Sequence, residues 1–290
     1  MADGATEERI GVNGSLLGER DPAPVELIRG EGSSRILLVV DHAGRAVPQA
    51  LGDLGVAPPD FERHIAWDIG AMGVTRRLGQ ALDATIVAQR YSRLVIDCNR
   101  TPGHPTSIAP ISDGTAVPAN TAPGAAGAAR RVREIFDPYH REIGRQLDRI
   151  AGRGERPVLV AMHSFTPVMR GVARPWHAGV LFNHQPHLGH ILLRLLEAEG
   201  DLVVGENEPY ALSDLDDYTV PLHGERRGIP HVELEIRQDL IADEDGQAAW
   251  ADRLARLLPR ALEQLDVEEQ SGIVPALART LGAGIPDRNR

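Results

Sequence analysis

The feature that most constrains the fold is a short uncharged run at residues 157–165, which reads Pro-Val-Leu-Val-Ala-Met-His-Ser-Phe. Arg, Gly and Pro precede its apolar centre, and Thr and Pro follow it. A continuous apolar run between turn residues is typical of a strand buried on both faces of a sheet. The run ends in His163 and Ser164, where open α/β sheets bind their ligands. It therefore predicts an α/β fold with polar chemistry at a central strand end, although His163 alone could be a hydrogen-bonded core residue.

Strands and helices alternate along most of the chain, which predicts one α/β domain over residues 23–265. We expect three layers, with a mostly parallel or mixed sheet and helices on both faces. A loose arm at residues 1–22 and a peripheral tail at 266–290 flank this domain. The further predicted strands are residues 35–40, 84–88, 178–182 and 229–237, and the predicted helices are 62–82, 128–150 (kinked or split at Pro138), 188–200 and 247–265. The Pro- and Gly-rich stretch at 101–127 is long for a connection and predicts a functional loop.

Composition limits the possible partners. The net charge is −10, and all 31 basic residues are arginines. An acidic chain without a basic block argues against nucleic acid or an anionic membrane as partner. The single cysteine, Cys98, excludes an internal disulfide and fits a reducing cytoplasm. The first residues lack the apolar stretch of a signal peptide, and no run reaches the ~18 apolar residues of a membrane span. We therefore expect a cytoplasmic protein, with the oligomeric state left open.

A metal site is predicted from three polar residues near strand ends. His42 follows the first strand, His163 ends the central strand, and Asp68 lies near the start of the predicted helix between them. Two imidazoles and a carboxylate form a common catalytic zinc set with a fourth position for water, whose pKa zinc lowers to ~7. We therefore predict that His42, Asp68 and His163 bind Zn²⁺. Separate hydrogen-bonding roles are one alternative, and His64, on the same predicted helix face as Asp68, is a competing ligand.

A general base is predicted on the last strand. Residues 231–237 alternate, so His231, Glu233 and Glu235 should point to one face. A carboxylate is costly to bury unless a charge compensates it, and a metal with a water to deprotonate is such a compensation. We predict Glu235 as the general base and later acid. Glu233 is the alternative base, and a structural pair with Arg237 or another arginine is the alternative role.

Several arginines near the predicted metal indicate a small anionic substrate, because arginine binds carboxylates in bidentate fashion. We predict substrate contacts from Arg93, Arg100 and Arg174. Arg93 and Arg100 could instead pair with neighbouring aspartates. Asn99 could hold a substrate carbonyl oxygen or cap a turn.

Other chemistry has less support. The chain lacks a G-x-S-x-G elbow, a G-x-G-x-x-G fingerprint and a Walker loop. Four histidines that follow the central strand resemble a metal cluster by number alone. Three of them lie in a loop before a helix, and we interpret them as solvated residues. The four are His177, His184, His187 and His190.

Five segments resemble the N-formylglutamate amidohydrolase family, over about residues 35–260. They read Asp-His-Ala-Gly at 41–44, His-Ile-Ala-Trp-Asp-Ile-Gly-Ala at 64–71, Tyr-Ser-Arg-Leu-Val-Ile-Asp-Cys-Asn-Arg at 91–100, Met-His-Ser-Phe-Thr-Pro at 162–167 and Leu-Glu-Ile-Arg-Gln-Asp-Leu at 234–240. The resemblance implies a phosphorylase/hydrolase-like α/β fold, a bound zinc, and hydrolysis of N-formyl-L-glutamate to formate and L-glutamate in histidine breakdown. The layout is also similar to zinc-dependent muramoyl-alanine amidases, which use a His, acidic, His metal set and a late-strand glutamate.

On the family pattern, His42, Asp68 and His163 would hold zinc and Glu235 would be the base. Arg93 and Arg100 would face the substrate carboxylates. The chain departs from the family at Asp41, where proline often precedes the histidine. Two other functions stay open: a zinc amidase or carboxypeptidase acting on another acyl-amino acid or peptide, and a metal-stabilised module that binds small anions without turnover.

Overall fold

A mixed sheet of seven strands forms the centre of the protein, in a computed structural model that describes residues 14–272. Residues 1–13 of the predicted arm and 273–290 of the predicted tail lie outside this range. The strands, in chain order, are β1 (Val25–Ile28), β2 (Ile36–Val40), β3 (Thr85–Gln89), β4 (Ile111–Ser112), β5 (Thr115–Ala116), β6 (Val158–Phe165), β7 (Val168–Met169), β8 (Val172–Ala173), β9 (Ala178–Leu181), β10 (Val204–Glu206) and β11 (His231–Arg237). The order across the central sheet is β1-β3-β2-β6-β11-β9-β10.

Three adjacent parallel strands set the position of the site. β2 pairs in parallel with β3 and β6, and β6 pairs in parallel with β11. β1 and β9 run antiparallel to their neighbours β3 and β11, and β10 runs parallel to β9. The carboxyl ends of β2, β6 and β11 therefore meet at one edge of the sheet. Two small hairpins, β4–β5 and β7–β8, stand outside the central sheet.

Helices cover both faces of the sheet, which confirms the predicted three-layer α/β arrangement. They are α1 (Ala71–Leu82), α2 (Gly124–Arg131), α3 (Asp137–Gly152), α4 (His187–Glu197) and α5 (Glu244–Gln270). Leu38 and Val40 of β2 pack in the core with α1, α4 and α5, while Leu37 and Val39 pack on the opposite face with α3. This alternation explains why β2 and residues 158–162 of β6 are apolar throughout, since each strand is buried on both sides.

Three predicted boundaries change. The helix predicted at 62–82 begins only at Ala71, because residues 63–70 form turns, so His64 and Asp68 do not share a helix face. The helix predicted at 128–150 begins at Gly124, and its interruption is a π-helical turn at residues 132–136, ahead of Pro138, which lies in the first turn of α3. α5 continues through residue 266, so the predicted tail starts inside a helix. Within residues 14–272, no helix has both the length and the apolar character to cross a membrane.

Gly70 shapes the turn that follows Asp68. Its φ is +79°, and a Cβ there would lie 2.1 Å from the carbonyl oxygen of Ile241. We expect Gly70→Ala to lower the free energy of unfolding by more than the about 1–3 kcal/mol that a strained residue costs, because a clash is added to the strain. Gly52→Ala is the matched control in urea unfolding, since Gly52 has φ +60° and open space around it. Equal losses in the two variants would contradict the clash.

Candidate active site

Four side chains predicted from distant segments meet at the carboxyl edge of the sheet. His42 follows β2, His163 lies near the end of β6, and Glu235 on β11 pairs in register with His163. The backbone N–H of Asp68 donates to the carbonyl oxygen of His42 at 2.9 Å, which brings the 63–70 turns to the same edge. The structure therefore brings together His42, Asp68, His163 and Glu235.

His42, Asp68 and His163 have the geometry of a small ligand set. Oδ2 of Asp68 lies 3.3 Å from Nδ1 of His42 and 2.8 Å from Nδ1 of His163, and the three donor atoms lie within 4.8 Å of one another. All three residues are at most 3% exposed. Tetrahedral zinc with bonds of about 2.0–2.2 Å separates its ligand atoms by about 3.3–3.6 Å. The donor types and the 3.3 Å separation fit one such ion, whereas the 2.8 Å separation is a hydrogen-bond distance that an ion would have to widen. The role of these residues as zinc ligands stays a prediction.

Each imidazole is held between two carboxylates. Nε2 of His42 lies 2.8 Å from Oδ1 of Asp97, and Nε2 of His163 lies 3.1 Å from Oδ2 of Asp41. When Nε2 of each ring carries the hydrogen and donates it to the outer carboxylate, Nδ1 presents a lone pair to Asp68. A lone pair and a carboxylate repel each other, so either a second proton on each ring or one shared cation must lie between them. Outer carboxylates orient metal-binding histidines in this way. The arrangement therefore fits a divalent ion that replaces two protons.

The electrostatics of His163 favour positive charge at this point. Burial by itself would lower the pKa of His163, but the charges and hydrogen bonds of Glu233, Asp41 and Asp68 outweigh it and raise the pKa well above its usual value. The surroundings of His163 therefore favour positive charge on or beside its ring.

Glu233 and Glu235 face the same space, on the side of β11 opposite its apolar residues, as predicted. Burial raises the pKa of Glu235 to about 7, the charge of Asp68 acts in the same direction, and His163 and Arg93 oppose it. Burial also raises the pKa of Glu233 well above its usual range. Oε2 of each glutamate is buried and has no hydrogen-bond partner among the described residues. The pKa of Glu235 suits proton transfer near neutral pH, while the burial of Glu233 favours its protonated form.

The alternative role for these glutamates, an ion pair with Arg237, is not formed. The Arg237 guanidinium donates to Asp239 instead, at 2.8 Å from its Nε. His64 likewise lies apart from the ligand set, and its Nε2 is 3.4 Å from the carboxylate of Asp113. The geometry therefore does not favour His64 as the competing ligand.

The predicted substrate-binding arginines of the 91–100 segment both line the cavity and both contact carboxylates. Arg93 donates to Oδ2 of Asp97, at 2.7 Å from Nη2 and 3.2 Å from Nε. Arg100 donates to Asp217 at 3.1 Å. The alternative of pairing with nearby carboxylates is thus present for both, and their remaining N–H groups are the ones that a substrate could use.

Asn99 and Arg174 have mainly supporting positions. Oδ1 of Asn99 accepts the backbone N–H groups of Tyr218 and Thr219, each at 3.0 Å, so Asn99 fastens a turn. Arg174 lies outside the cavity lining, with its guanidinium 4.8 Å from the Tyr210 ring centroid and donating to the Tyr210 hydroxyl. Its position does not support direct substrate contact. Tyr210 itself lines the cavity, which the sequence reasoning did not anticipate.

These groups line an open cavity of about 520 Å³, within the usual range of small-molecule sites. Both hairpins contribute to its wall, including Ile111 and Asp113 of the 101–127 stretch and Met169 and Arg170 of β7–β8. The lining carries more carboxylates than arginines, so an anionic substrate would have to contact the arginines. The acidic members are Asp68, Asp97, Asp113, Asp216, Asp217, Glu233 and Glu235, and the arginines are Arg93, Arg100 and Arg170.

Comparison with known proteins identifies the family. Residues 34–242 match the model of the family described as N-formylglutamate amidohydrolase. The chain belongs to this family. Over 268 residues it is 26% identical to N-formylglutamate deformylase of Pseudomonas putida. This alignment covers 81% of this chain and 92% of the deformylase. The family resemblance and the prediction of a hydrolase acting on a linear amide are thereby confirmed.

Two crystal structures share the fold. A gene product of Agrobacterium tumefaciens aligns with a TM-score of 0.84 and 34% identity, covering 87% of this chain and 99% of that one. An N-formylglutamate amidohydrolase from Ralstonia eutropha JMP134 aligns with a TM-score of 0.60 and 19% identity, covering 85% and 99%. The second likeness concerns the fold alone. Both support the single α/β domain of this family member.

Two carboxylates of the site, Asp41 and Asp97, were not predicted to orient the histidines. The sequence reasoning considered them only as partners of arginines. The sequence offers one signal for Asp41, which lies between the end of β2 and His42. Thr219 donates to Oδ1 of Asp41 at 2.7 Å, so the carboxylate is held on both sides.

We expect Asp97→Asn to weaken zinc binding by about 10–100-fold, because the His42 ring would lose the charged acceptor that orients it. Chelator-treated protein titrated with zinc against a chelating dye gives the affinity, and thermal unfolding checks the fold. Asp113→Asn is the matched control. Asp113 also lines the cavity, but it contacts Arg63 and His64 instead of His42 and His163. Equal affinities in Asp97→Asn and the parent would contradict the orienting role.

Proposed function

We propose that this family member is a zinc-dependent amidohydrolase acting on an N-acylated acidic amino acid, with N-formyl-L-glutamate as substrate and formate and L-glutamate as products. One observation carries the proposal: one ring nitrogen each from His42 and His163 and one carboxylate oxygen of Asp68 lie within 4.8 Å of one another, in a cavity that Glu235 also lines. The name of the Pseudomonas putida deformylase supports the substrate. The proposal includes a cytoplasmic role in histidine breakdown.

His42, Asp68 and His163 would hold the zinc ion, with Asp97 and Asp41 fixing the two rings from outside. When bound, zinc would supply a Lewis acid for the formyl oxygen and lower the pKa of a water molecule to about 7. The donor set of two imidazoles and one carboxylate matches catalytic zinc sites, which keep one position open.

Glu235 would move the protons. It would take a proton from the attacking water as the new carbon–oxygen bond forms, and deliver it to the leaving nitrogen as the carbon–nitrogen bond breaks. Its pKa of about 7 suits both roles near neutral pH. Its buried Oε2, without a hydrogen-bond partner among residues 14–272, supports its availability for this transfer.

Arg93 and Arg100 would bind the substrate carboxylates. Asp97 and Asp217 hold the two guanidinium groups at the cavity wall, so little side-chain freedom is lost when an anion binds. Nη1 of Arg93 lies 3.6 Å from Oδ1 of Asp68, which is too long for a hydrogen bond. A substrate carboxylate could therefore accept from it.

A panel of N-formyl and N-acetyl amino acids tests the function with zinc-loaded protein and a formate or acetate assay. We expect the highest kcat/KM for N-formyl-L-glutamate, and Arg93→Ala should mainly raise KM for dicarboxylates. Arg45→Ala is the control, because Arg45 pairs with Glu62 and does not line the cavity. Zinc binding without turnover of any N-acyl amino acid would contradict the proposal and favour the anion-binding module.

A zinc amidase for larger acyl-amino acids or peptides is the second candidate, and the cavity rim favours it. Ile111 and Tyr210 line the cavity yet are 64% and 40% exposed, and Leu215, next to the lining residue Asp216, is 80% exposed. Apolar side chains at such a rim suit a substrate that extends beyond a single amino acid. Faster turnover of N-formyl dipeptides than of N-formyl-L-glutamate would support this candidate.

A further inference from the structure

A third arginine of the cavity lining, Arg170, lies at the exposed tip of the β7–β8 hairpin. Its side chain has no hydrogen bond, ion pair or ring contact within the described part of the chain. Arg93 also lines the cavity, but it donates to Asp97 at 2.7 Å. Arg100 likewise donates to Asp217 at 3.1 Å. Among the described lining residues, Arg170 is therefore the arginine whose charge no carboxylate offsets by contact.

The backbone of Arg170 is unusual for an arginine. Only Arg170 and Gly171 join β7 to β8, and their φ values are +50° and +79°. Two left-handed residues in a two-residue hairpin loop form a turn that favours asparagine, aspartate or glycine at its first position. Arginine has a Cβ that makes this backbone unfavourable and lacks the short polar side chain that would compensate for it. A strained residue in a cavity wall points to a role for its side chain.

Arg93 and Arg170 lie at different depths of the cavity. Nη1 of Arg93 is 3.6 Å from Oδ1 of the predicted zinc ligand Asp68, whereas Arg170 lies on an exposed turn. In an N-acyl amino acid the α-carboxylate is attached to the carbon that carries the amide nitrogen, and the side-chain carboxylate of glutamate lies two CH2 groups further out. An amide held beside the predicted zinc ligands would therefore leave the α-carboxylate near Arg93 and direct the side-chain carboxylate towards Arg170.

We propose that Arg170 binds the side-chain carboxylate of the substrate and so sets the preference for an acidic amino acid, an inference that rests on the proposed function. The lining carries more carboxylates than arginines, so an anion at the rim would be repelled unless an unpaired cation faced it. A carboxylate placed on Arg100 would also lie beside Asp217. The guanidinium of Arg170 can form a bidentate pair without a carboxylate already in contact with it.

The hairpin holds the turn of Arg170 in place. β7 and β8 pair in register, and the backbone N–H of Arg174 donates to the carbonyl oxygen of Pro167 at 2.9 Å. Met169, which directly precedes Arg170, also lines the cavity. Because the backbone is placed before an anion binds, only the arginine side chain has to be ordered, which limits the entropy that binding costs.

A pair of substrates that differ in side-chain charge tests the assignment. N-formyl-L-glutamate and N-formyl-L-glutamine have nearly the same size, but only the first carries a side-chain carboxylate. We expect Arg170→Asn to lower the ratio of their kcat/KM values by about 10–100-fold, mainly through KM for the glutamate substrate, because a charged hydrogen-bonded pair is lost. Arg170→Lys keeps the charge without the planar fork, so its ratio should fall less. An unchanged ratio in Arg170→Asn would contradict the assignment.

Thermal unfolding separates binding from a structural role. Arg170→Asn gives this turn the Asn-Gly pair that its geometry favours, so we expect the Tm of the variant to equal or exceed that of the parent. An arginine that served only to stabilise the hairpin would show the opposite: a lower Tm, and equal losses with both substrates.

Calorimetric titration with glutarate keeps this inference apart from the proposed function, because glutarate has two carboxylates at the spacing found in glutamate but no amide. We expect Arg170→Asn to weaken glutarate binding to the zinc-treated full-length protein by about 10–100-fold. Arg260→Asn is the matched control, since Arg260 is also exposed and without a described partner but does not line the cavity. Weaker glutarate binding in Arg170→Asn, with no turnover of either N-formyl substrate by the parent, would support Arg170 and contradict the proposed function. Parent-like glutarate affinity in Arg170→Asn, or a parent that binds no glutarate, would overturn the role of Arg170.

Discussion

Replacing Glu235 with glutamine is expected to lower kcat for N-formyl-L-glutamate by about 10²–10⁴-fold, the usual contribution of a general acid–base residue. Glutamine keeps the size of the side chain but can neither accept the proton of the attacking water nor return it to the leaving nitrogen. KM and zinc content should stay unchanged, because Glu235 is neither a predicted zinc ligand nor a predicted substrate-binding residue. Steady-state formate release by zinc-loaded protein measures the effect.

Glu233→Gln is the comparison that decides between the two glutamates. Both side chains are buried on the same face of β11, and both have an Oε2 without a hydrogen-bond partner in the described part of the chain. We expect the smaller loss in Glu233→Gln, since Glu235 is the residue in register with His163. The reverse order would assign the base to Glu233, and undiminished kcat in both variants would remove proton transfer by β11 from the mechanism.

Removing one predicted zinc ligand is expected to have the second large effect. His163→Ala should abolish the catalytic equivalent of zinc and reduce formate release to the rate of chelated protein, because one imidazole and one carboxylate cannot replace the three-residue set. Chelation of the parent should cause the same loss, reversed by added zinc. Both predictions are checked by metal analysis and formate release on the same samples.

His64→Ala is the matched control for this experiment. His64 also lines the cavity, but its Nε2 lies beside Asp113 and it is not part of the ligand set. We expect His64→Ala to keep its zinc and most of its activity. Since His163 is buried, circular dichroism and thermal unfolding must show that His163→Ala is folded. A folded His163→Ala that still releases formate at the parent rate would contradict the metal site.

The groups at the sheet edge could be predicted because a polar residue directly after an apolar run marks the end of a buried strand. β2 and residues 158–162 of β6 are uninterrupted apolar runs, so His42 and His163 stand out directly after them. The alternation of β11 indicates the face of Glu235. Parallel pairing then brings the ends together without further information. The fold class and the meeting of these three segments follow from patterns of this kind.

Asp68 shows where periodicity misleads. Apolar residues continue at helical spacing through residues 62–82, but the segment before Ala71 forms turns. Gly70 has a left-handed backbone packed against Ile241, so α1 begins only at Ala71 and not at residue 62. A contact with a residue so distant in sequence cannot be inferred from local spacing. The structure places Asp68 beside the two histidines, but on a turn instead of the predicted helix.

The partners of the polar residues were the least predictable part. Arg100 and Asn99 contact Asp217, more than a hundred residues away, and Arg174 is withdrawn from the cavity by stacking on Tyr210. Residue type indicates what a side chain can bind but not which of several carboxylates or rings will reach it. Such pairings depend on how the loops pack, which local sequence patterns do not specify.

The most direct test of the central claim is an anomalous difference map, collected at the zinc edge from a crystal of zinc-loaded protein. The account predicts a peak about 2.0–2.2 Å from Nδ1 of His42, Nδ1 of His163 and a carboxylate oxygen of Asp68. A zinc-loaded crystal in which no anomalous peak lies between these three side chains would contradict it.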